Sequence, residues 1–270
     1  MTADAAAADH GAWTALVLAG RRAGAADPMA EAAGVTEKCL VPVLGEPMLR
    51  RVLRTLADSA PIGGIVVALV DAALPAGLEL PEPIASRVRA VGCAASPSLS
   101  VLAAADTLGW PLPLLITTAD HPLLTPAMVE HFIAASGDGA ADLAVAVART
   151  EPLAARFPGA RRTAYRFRDG RVGGCNLFAV RTPAGFAAFR FWAALERQRK
   201  QPWRIAKAFG FRPLLRYILG RLPLTEAFAT ASRTAGLTAR PVILPWPEAA
   251  VDVDKPADLT VAERILGERG

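Results

Sequence analysis

The chain has 270 residues, 53% hydrophobic and 20% charged, with a formal net charge of +5. That length suits one large domain with a sizeable core, and three scattered cysteines (Cys39, Cys93, Cys175) exclude a disulfide framework or a zinc knuckle. The charge is uneven: 16 basic and 2 acidic residues lie between Arg156 and Arg221, while the remainder holds 14 basic and 23 acidic. A mildly acidic body thus carries one basic segment, which points to an interaction surface and not to a nucleic-acid-binding protein.

Residues 1–11 are rich in Ala and Asp and are expected to be disordered; they lack the basic start and apolar core of a signal peptide. No uninterrupted apolar run is long enough to span a bilayer. A cytoplasmic location is expected.

In chain order, 13–19 is short and apolar and predicts a buried strand ending at Gly20. Residues 20–37 read as one long polar loop. Pro47 opens a helix to about residue 59, with Leu49, Val52, Leu53 and Leu56 on one face. Strands follow at 65–70, 88–92, 113–118 and 142–148, with helices at 99–108 and from Pro126 to about 135. Strands alternating with helices predict a mainly parallel sheet covered on both faces, a three-layer α/β/α sandwich.

Beyond 150 the pattern changes. A hairpin is expected over 163–180, turning at Asp169-Gly170. Residues 183–220 read as helix broken at Pro202 and Pro213, followed by a helix at 225–235, strands at 240–244 and 249–253, and a closing helix from Pro256. The resulting division is a core of 12–182 and 239–270 with a basic, aromatic helical insertion at 183–238.

Four segments carry chemistry. Leu18-Ala19-Gly20-Arg21-Arg22-Ala23-Gly24, followed by Lys38, is a Gly-rich turn leaving a buried strand, suited to phosphate oxygens or simply to turning the chain. It is neither a Walker A loop nor G-x-G-x-x-G. Asp120 stands at the carboxyl end of a strand, the ligand edge of an α/β sheet, where it can hold Mg²⁺ or cap the loop. Asp252 and Asp254 share a face of an extended segment and can join Asp120 on a metal, although Asp254 is also placed to cap the helix begun at Pro256. Gly173-Gly174-Cys175-Asn176 lets a ligand approach the backbone and offers an amide, or forms a bulge with a satisfied Asn; Cys175 reads as a small buried residue. His121 and His131 lack metal-ligand spacing with a third group.

Taken in order, the Leu-Ala-Gly turn, the run from Lys38 through Gly45-Glu46-Pro47, the run Ala119-Asp120-His121-Pro122 and the run Asp252-Val253-Asp254-Lys255-Pro256-Ala257-Asp258 resemble nucleotidyltransferases of GT-A-like fold. The nearest group is the MobA-like NTP transferases, and the resemblance covers about 13–180 and 240–267. It implies Mg²⁺-dependent transfer of NMP from an NTP, with CTP or GTP favoured, to a phosphorylated small-molecule or lipid-related acceptor, releasing pyrophosphate. By position, Leu18, Ala19, Gly20, Arg21, Arg22 and Gly24 would cradle the triphosphate, with Arg21, Lys38 and Asp120 as catalytic groups. Asp120 with Asp252 or Asp254 would bind Mg²⁺. Ser96, Ser98 and Ser100 would lie where the base is contacted, and Gly174 and Asn176 would face the acceptor. The first loop is one glycine poorer than the family's usual form, and the stretch to Lys38 is long.

Two rival readings stand beside this one. A GT-A glycosyltransferase using an NDP-sugar would want an Asp-x-Asp, which Thr118-Ala119-Asp120 lacks. A non-catalytic nucleotide-binding or membrane-adaptor protein is suggested by the altered first loop. The basic insertion, through 189–221, suits a structural or homodimer contact, an anionic membrane at the inner face, or a soluble anionic acceptor; no nucleic-acid partner is expected.

Overall fold

The computed structural model describes residues 12–20, 27–137, 141–157, 163–197 and 210–269. Arg21, Arg22 and Gly24, the N-terminal segment 1–11 and the expected break at Pro202 lie outside the described residues. The elements begin with β1 (Trp13–Leu18), α1 (Pro28–Ala33), β2 (Pro42–Val43), β3 (Glu46–Pro47), α2 (Met48–Ala57) and β4 (Ile62–Leu69). Next come α3 (Glu82–Ala85), β5 (Val88–Gly92), α4 (Pro97–Thr107), β6 (Leu114–Thr118), α5 (Pro126–Ala135), β7 (Leu143–Arg149) and α6 (Glu151–Arg156). The last are β8 (Tyr165–Phe167), β9 (Gly170–Val180), α7 (Phe186–Arg197), α8 (Phe211–Ile218), α9 (Leu224–Ala235), β10 (Ala239–Leu244) and α10 (Pro256–Gly267).

Seven strands lie in the order β10-β7-β9-β6-β1-β4-β5, with β8 paired to β9. All neighbours are parallel except at β9, which runs antiparallel to β6, β7 and β8. The expected α/β/α sandwich with a mainly parallel sheet is thus present. Period-two alternation divides the core in two. In β1, Ala15 and Val17 face Leu49 and Leu53 of α2 and Phe132 of α5, while Leu16 faces Val101 and Ala104 of α4 and Phe186 and Phe189 of α7. Residues 15–18 of β1 are all apolar because both faces of the sheet are covered.

The chain runs from β1 to β4 and β5 on one side, then returns to β6 on the other. That reversal between β1 and β6 opens a crevice at the carboxyl ends of the strands, the usual ligand position in such sheets. A third apolar cluster lies beside this edge. It joins Met29 of α1, Val41, Val43, Met48, Leu123, Val251, Val253 and, from α10, Ala262 and Ile265.

Four local expectations are corrected. The stretch 20–37 is not all loop: Asp27 caps α1 by accepting from the amides of Met29 and Ala30, and Gly34, with φ of +67°, ends it in the left-handed region that glycine favours. No strand forms over 249–253. Pro247–Ala250 is a 3₁₀ turn, and Val251–Val253 is extended but outside the sheet. Pro213 does not break its helix; it occupies the first turn of α8, where no intrahelical amide donor is needed. The two glycines ahead of the second expected strand, Gly63 and Gly64, belong to β4 itself.

Helices α7 and α9 join the layers. Phe186, Ala188 and Phe189 of α7 are buried against α4 and the sheet, and α9 adjoins β10, Ser232 Oγ accepting from the Ala239 amide at 2.8 Å.

Candidate active site

The crevice is built from four turns. Gly20 leaves β1, Cys93 leaves β5, Asp120 leaves β6, and Asp252–Asp254 passes beside Asp120 because the Val253 amide donates to the Asp120 carbonyl at 2.9 Å. Val253 is fully buried in the third cluster. Its neighbours Asp252 and Asp254 therefore point together to the other side, as their period-two spacing requires.

Lys38 opens a short 3₁₀ turn, Lys38–Leu40, anchored by buried Cys39 and Val41. Its Nζ donates to Asp120 Oδ2 at 2.6 Å and to Asp254 Oδ1 at 2.5 Å. Burial pulls the ammonium's pKa down, but the Asp120 and Asp254 carboxylates together outweigh it and hold the value above the usual lysine range. Lys38 is cationic at any physiological pH.

Asp254 is not a helix cap. Lys255 occupies that position, and the amides of Asp254 and Lys255 both donate to Asp258 Oδ2 at 3.1 Å. Asp258 is buried and sets the backbone that aims Asp254 at Lys38. The spacing of Lys255 and Asp258 is that of a capping pair, so this positioning residue was legible in sequence although it was assigned no role.

Asn176 lies in β9 at a break in register. Val145 pairs with Phe178 but Val147 pairs with Gly174, leaving two extra residues on the β9 side. Asn176 has φ of +49°, a conformation Asn tolerates better than most residues, and its Nδ2 donates to Asp252 Oδ2 at 3.2 Å. The segment is the expected bulge with a satisfied Asn, its amide turned toward Asp252. Gly173 is crowded, a Cβ there lying 3.1 Å from Ala250 Cβ, whereas Gly174 borders open space. Cys175 is buried; that burial, with the Asp252 carboxylate, pushes its thiol far above the thiolate range, and burial likewise pushes Cys39 to about 12. Neither is a nucleophile at neutral pH.

On the β1–β5 side of the crevice, the Ala19 amide is taken by the Ala68 carbonyl at 2.9 Å, and Leu18 closes β1. Gly20 is exposed, yet a Cβ there would lie 2.8 Å from both Cβ and Sγ of Cys93. The turn after β5 thus leans over β4 onto the first loop, a contact with no sequence signal. Ser96 caps α4, its hydroxyl accepting from the Leu99 amide at 3.3 Å. Ser98 and Ser100 are buried; Ser98 donates to Glu196 at 2.9 Å and Ser100 accepts from the Ala94 amide at 2.9 Å. Both hydroxyls are thus spent within the protein, Ser98 on α7 and Ser100 on the turn that precedes α4.

Among the described residues no three His, Cys, Asp or Glu side chains converge closely enough to hold a metal ion. Lys38 instead bridges Asp120 and Asp254. The donor set nonetheless fits a hard divalent cation. Asp120 Oδ1 is buried without a hydrogen-bond partner, and the Val253 amide on the Asp120 carbonyl brings beside it the segment that carries Asp252 and Asp254, two further hard oxygen donors.

A family model described as the MobA-like NTP transferase domain matches residues 15–179. A solved structure of a hypothetical transferase from Thermus thermophilus is 30% identical, with a TM-score of 0.72 over 91% of this chain and 98% of that one. CMP:2-keto-3-deoxy-manno-octonic acid synthetase, complexed with CTP, is 14% identical with a TM-score of 0.57 over 95% and 99% of the two chains. The 4-diphosphocytidyl-2C-methyl-D-erythritol synthase of Anaerococcus prevotii is 12% identical with a TM-score of 0.56 over 96% and 98%. The last two likenesses concern the fold. No curated relative matches in sequence.

Proposed function

The chain belongs to the MobA-like NTP transferase family and is a nucleotidyltransferase, and on that premise we propose that it transfers NMP from CTP or GTP to a phosphorylated acceptor, releasing pyrophosphate. The observation that carries this reading is the bridge from Lys38 to Asp120 and Asp254 at the crevice between β1 and β6.

Transfer of NMP to a phosphate needs no general base, because the attacking oxygen is already anionic at neutral pH. The protein has to align acceptor and α-phosphate in line and to stabilise the charge that grows there. The Lys38 ammonium supplies fixed positive charge. On nucleotide binding it exchanges carboxylate oxygens for phosphate oxygens and leaves Asp120 and Asp254 free to act as ligands. Gly20 backs the triphosphate with its backbone, and Arg21, Arg22 and Gly24 follow it in the same loop. Cys93 and Ser96 border the base side, and Gly174 and Asn176 border the acceptor. Asp120, with Asp252 or Asp254, would hold Mg²⁺, which when bound neutralises phosphate charge.

The test is a thermal-shift screen of ATP, CTP, GTP and UTP, each with and without Mg²⁺. A ligand stabilises the state it binds, by about 2.7 kcal/mol at a hundredfold excess over Kd. CTP or GTP should raise the melting temperature with Mg²⁺ and much less without it, and Asp120→Ala should remove the Mg²⁺-dependent part. No shift with any nucleotide would remove this function.

A further inference from the structure

Helix α8 is the most unusual surface of the molecule. Phe211, Leu215, Ile218 and Leu219 are 76, 42, 69 and 55% exposed. Their spacing, one, five, eight and nine along the chain, puts all four on one helical face. Leu214 and Tyr217 are half-buried on the other face, and the Tyr217 ring meets Phe167 of β8 edge-on at 5.7 Å between centroids. The helix therefore already rests on the body and still presents a continuous apolar stripe to water. Single exposed apolar residues are ordinary, but a stripe of four on a short helix marks a contact site.

The charge carried by the segment itself has one sign. Residues 210–222 contain Arg212, Arg216 and Arg221 and no Asp or Glu. Arg216 pairs with Glu226, while Arg212 and Arg221 are exposed, and Arg166 of β8 lies against Gly220. Among the described residues no helix is long and apolar enough to cross a membrane.

We propose that α8 is an interfacial helix that seats the protein on an anionic lipid surface, the apolar stripe entering the headgroup layer and the arginines meeting lipid phosphates. The charge decides against a second copy of this chain, because a two-fold contact through α8 would set the same arginines opposite each other. The composition of the stripe decides against nucleic acid, since it is mostly aliphatic and offers one ring for stacking. The inference does not depend on the transferase reading, because it concerns a different surface.

The placement has a consequence for the crevice. The connection from α8 to α9 is tied to the β8–β9 turn, the Arg168 amide donating to the Leu222 carbonyl at 2.8 Å and the Leu224 amide to Asp169 Oδ2 at 3.0 Å. Phe167, which meets Tyr217, pairs with Gly170, and Asn176 lies six residues further along β9. Seating α8 on a bilayer brings the acceptor end of the crevice near the headgroups and suits an acceptor held in the membrane.

The test is co-sedimentation of the full chain with vesicles of phosphatidylcholine alone and with vesicles rich in phosphatidylglycerol. Binding should be at least about tenfold stronger to the anionic vesicles and should weaken with salt. Two variants separate the contributions. Phe211→Ser with Ile218→Ser and Arg212→Glu with Arg221→Glu change only exposed side chains and should leave the melting temperature unchanged, while each lowers binding about tenfold or more. Phe211→Trp should shift its emission to the blue on anionic vesicles and be quenched by brominated lipid tails. Equal binding to both vesicle types, no binding to either, or a concentration-dependent dimer that Phe211→Ser with Ile218→Ser abolishes without any lipid binding would each overturn the proposal.

Discussion

Lys38 Nζ lies 2.6 Å from Asp120 Oδ2, joining residues 82 positions apart at the crevice between β1 and β6. With Asp254 on its other side, the same ammonium draws the last turn of the chain into the site. Two carboxylates and one cation leave the bridge net negative before any ligand arrives, so the site is arranged to take up further positive charge.

The bridge sets a pH dependence. The folded pKa of Lys38 is raised above 10.5. A raised lysine contributes stability that is fully present below the unfolded value and is lost as pH climbs through the folded one. The melting temperature of the wild type should hold its Lys38 contribution across neutral pH and lose it in the alkaline range above 10.5. Lys38→Met should start lower and show a smaller alkaline loss; an identical alkaline slope in both proteins would count against the bridge.

Asn176 should act through Asp252. Asn176→Gly keeps the left-handed backbone and removes the amide, whereas Asn176→Ala adds strain of about 1 kcal/mol as well. Both should weaken Mg²⁺ and acceptor binding, seen as a raised KM, and only Asn176→Ala should also lower the melting temperature noticeably. If Asn176→Gly leaves every KM unchanged, the amide has no part in the site.

Gly20 is glycine because of Cys93. In Gly20→Ala the new methyl lies 2.8 Å from Cys93 Cβ and Sγ and must push the two loops apart. Overpacking of this kind costs about 1–3 kcal/mol, and the displaced loop should raise the nucleotide KM about tenfold. Cys93→Ala should not rescue it, since the crowding reaches Cβ, whereas Cys93→Gly should. A Gly20→Ala variant with wild-type KM would place the triphosphate elsewhere.

Much of this was written in the sequence. Short continuous apolar runs fix β1, β6 and β7 with both faces covered, and the acidic residue after β6 marks the ligand edge, because parallel sheets leave few other places for a carboxylate. What was hidden depends on contacts between distant segments. Nothing local shows that Cys93 crowds Gly20 or that Ser98 and Ser100 turn inward on α4. The Asp252–Asp254 segment alternates like a strand, yet after Pro247 it finds no sheet neighbour and is held instead by one amide on Asp120. The Asp27-Pro28 cap and Gly34 stop of α1 were present in the sequence but obscured by the surrounding alanines.

The most direct test of the central claim is pyrophosphate release from CTP and GTP with Mg²⁺ and a panel of phosphorylated acceptors, run on the wild type, Lys38→Ala and Asp120→Ala. Removing one electrostatic stabiliser of a transition state costs about 10²–10³ in kcat. The account predicts release that depends on acceptor, with kcat reduced by at least about a hundredfold in Lys38→Ala. Wild-type turnover in Lys38→Ala, or no pyrophosphate from the wild type with any nucleotide and acceptor, would contradict it.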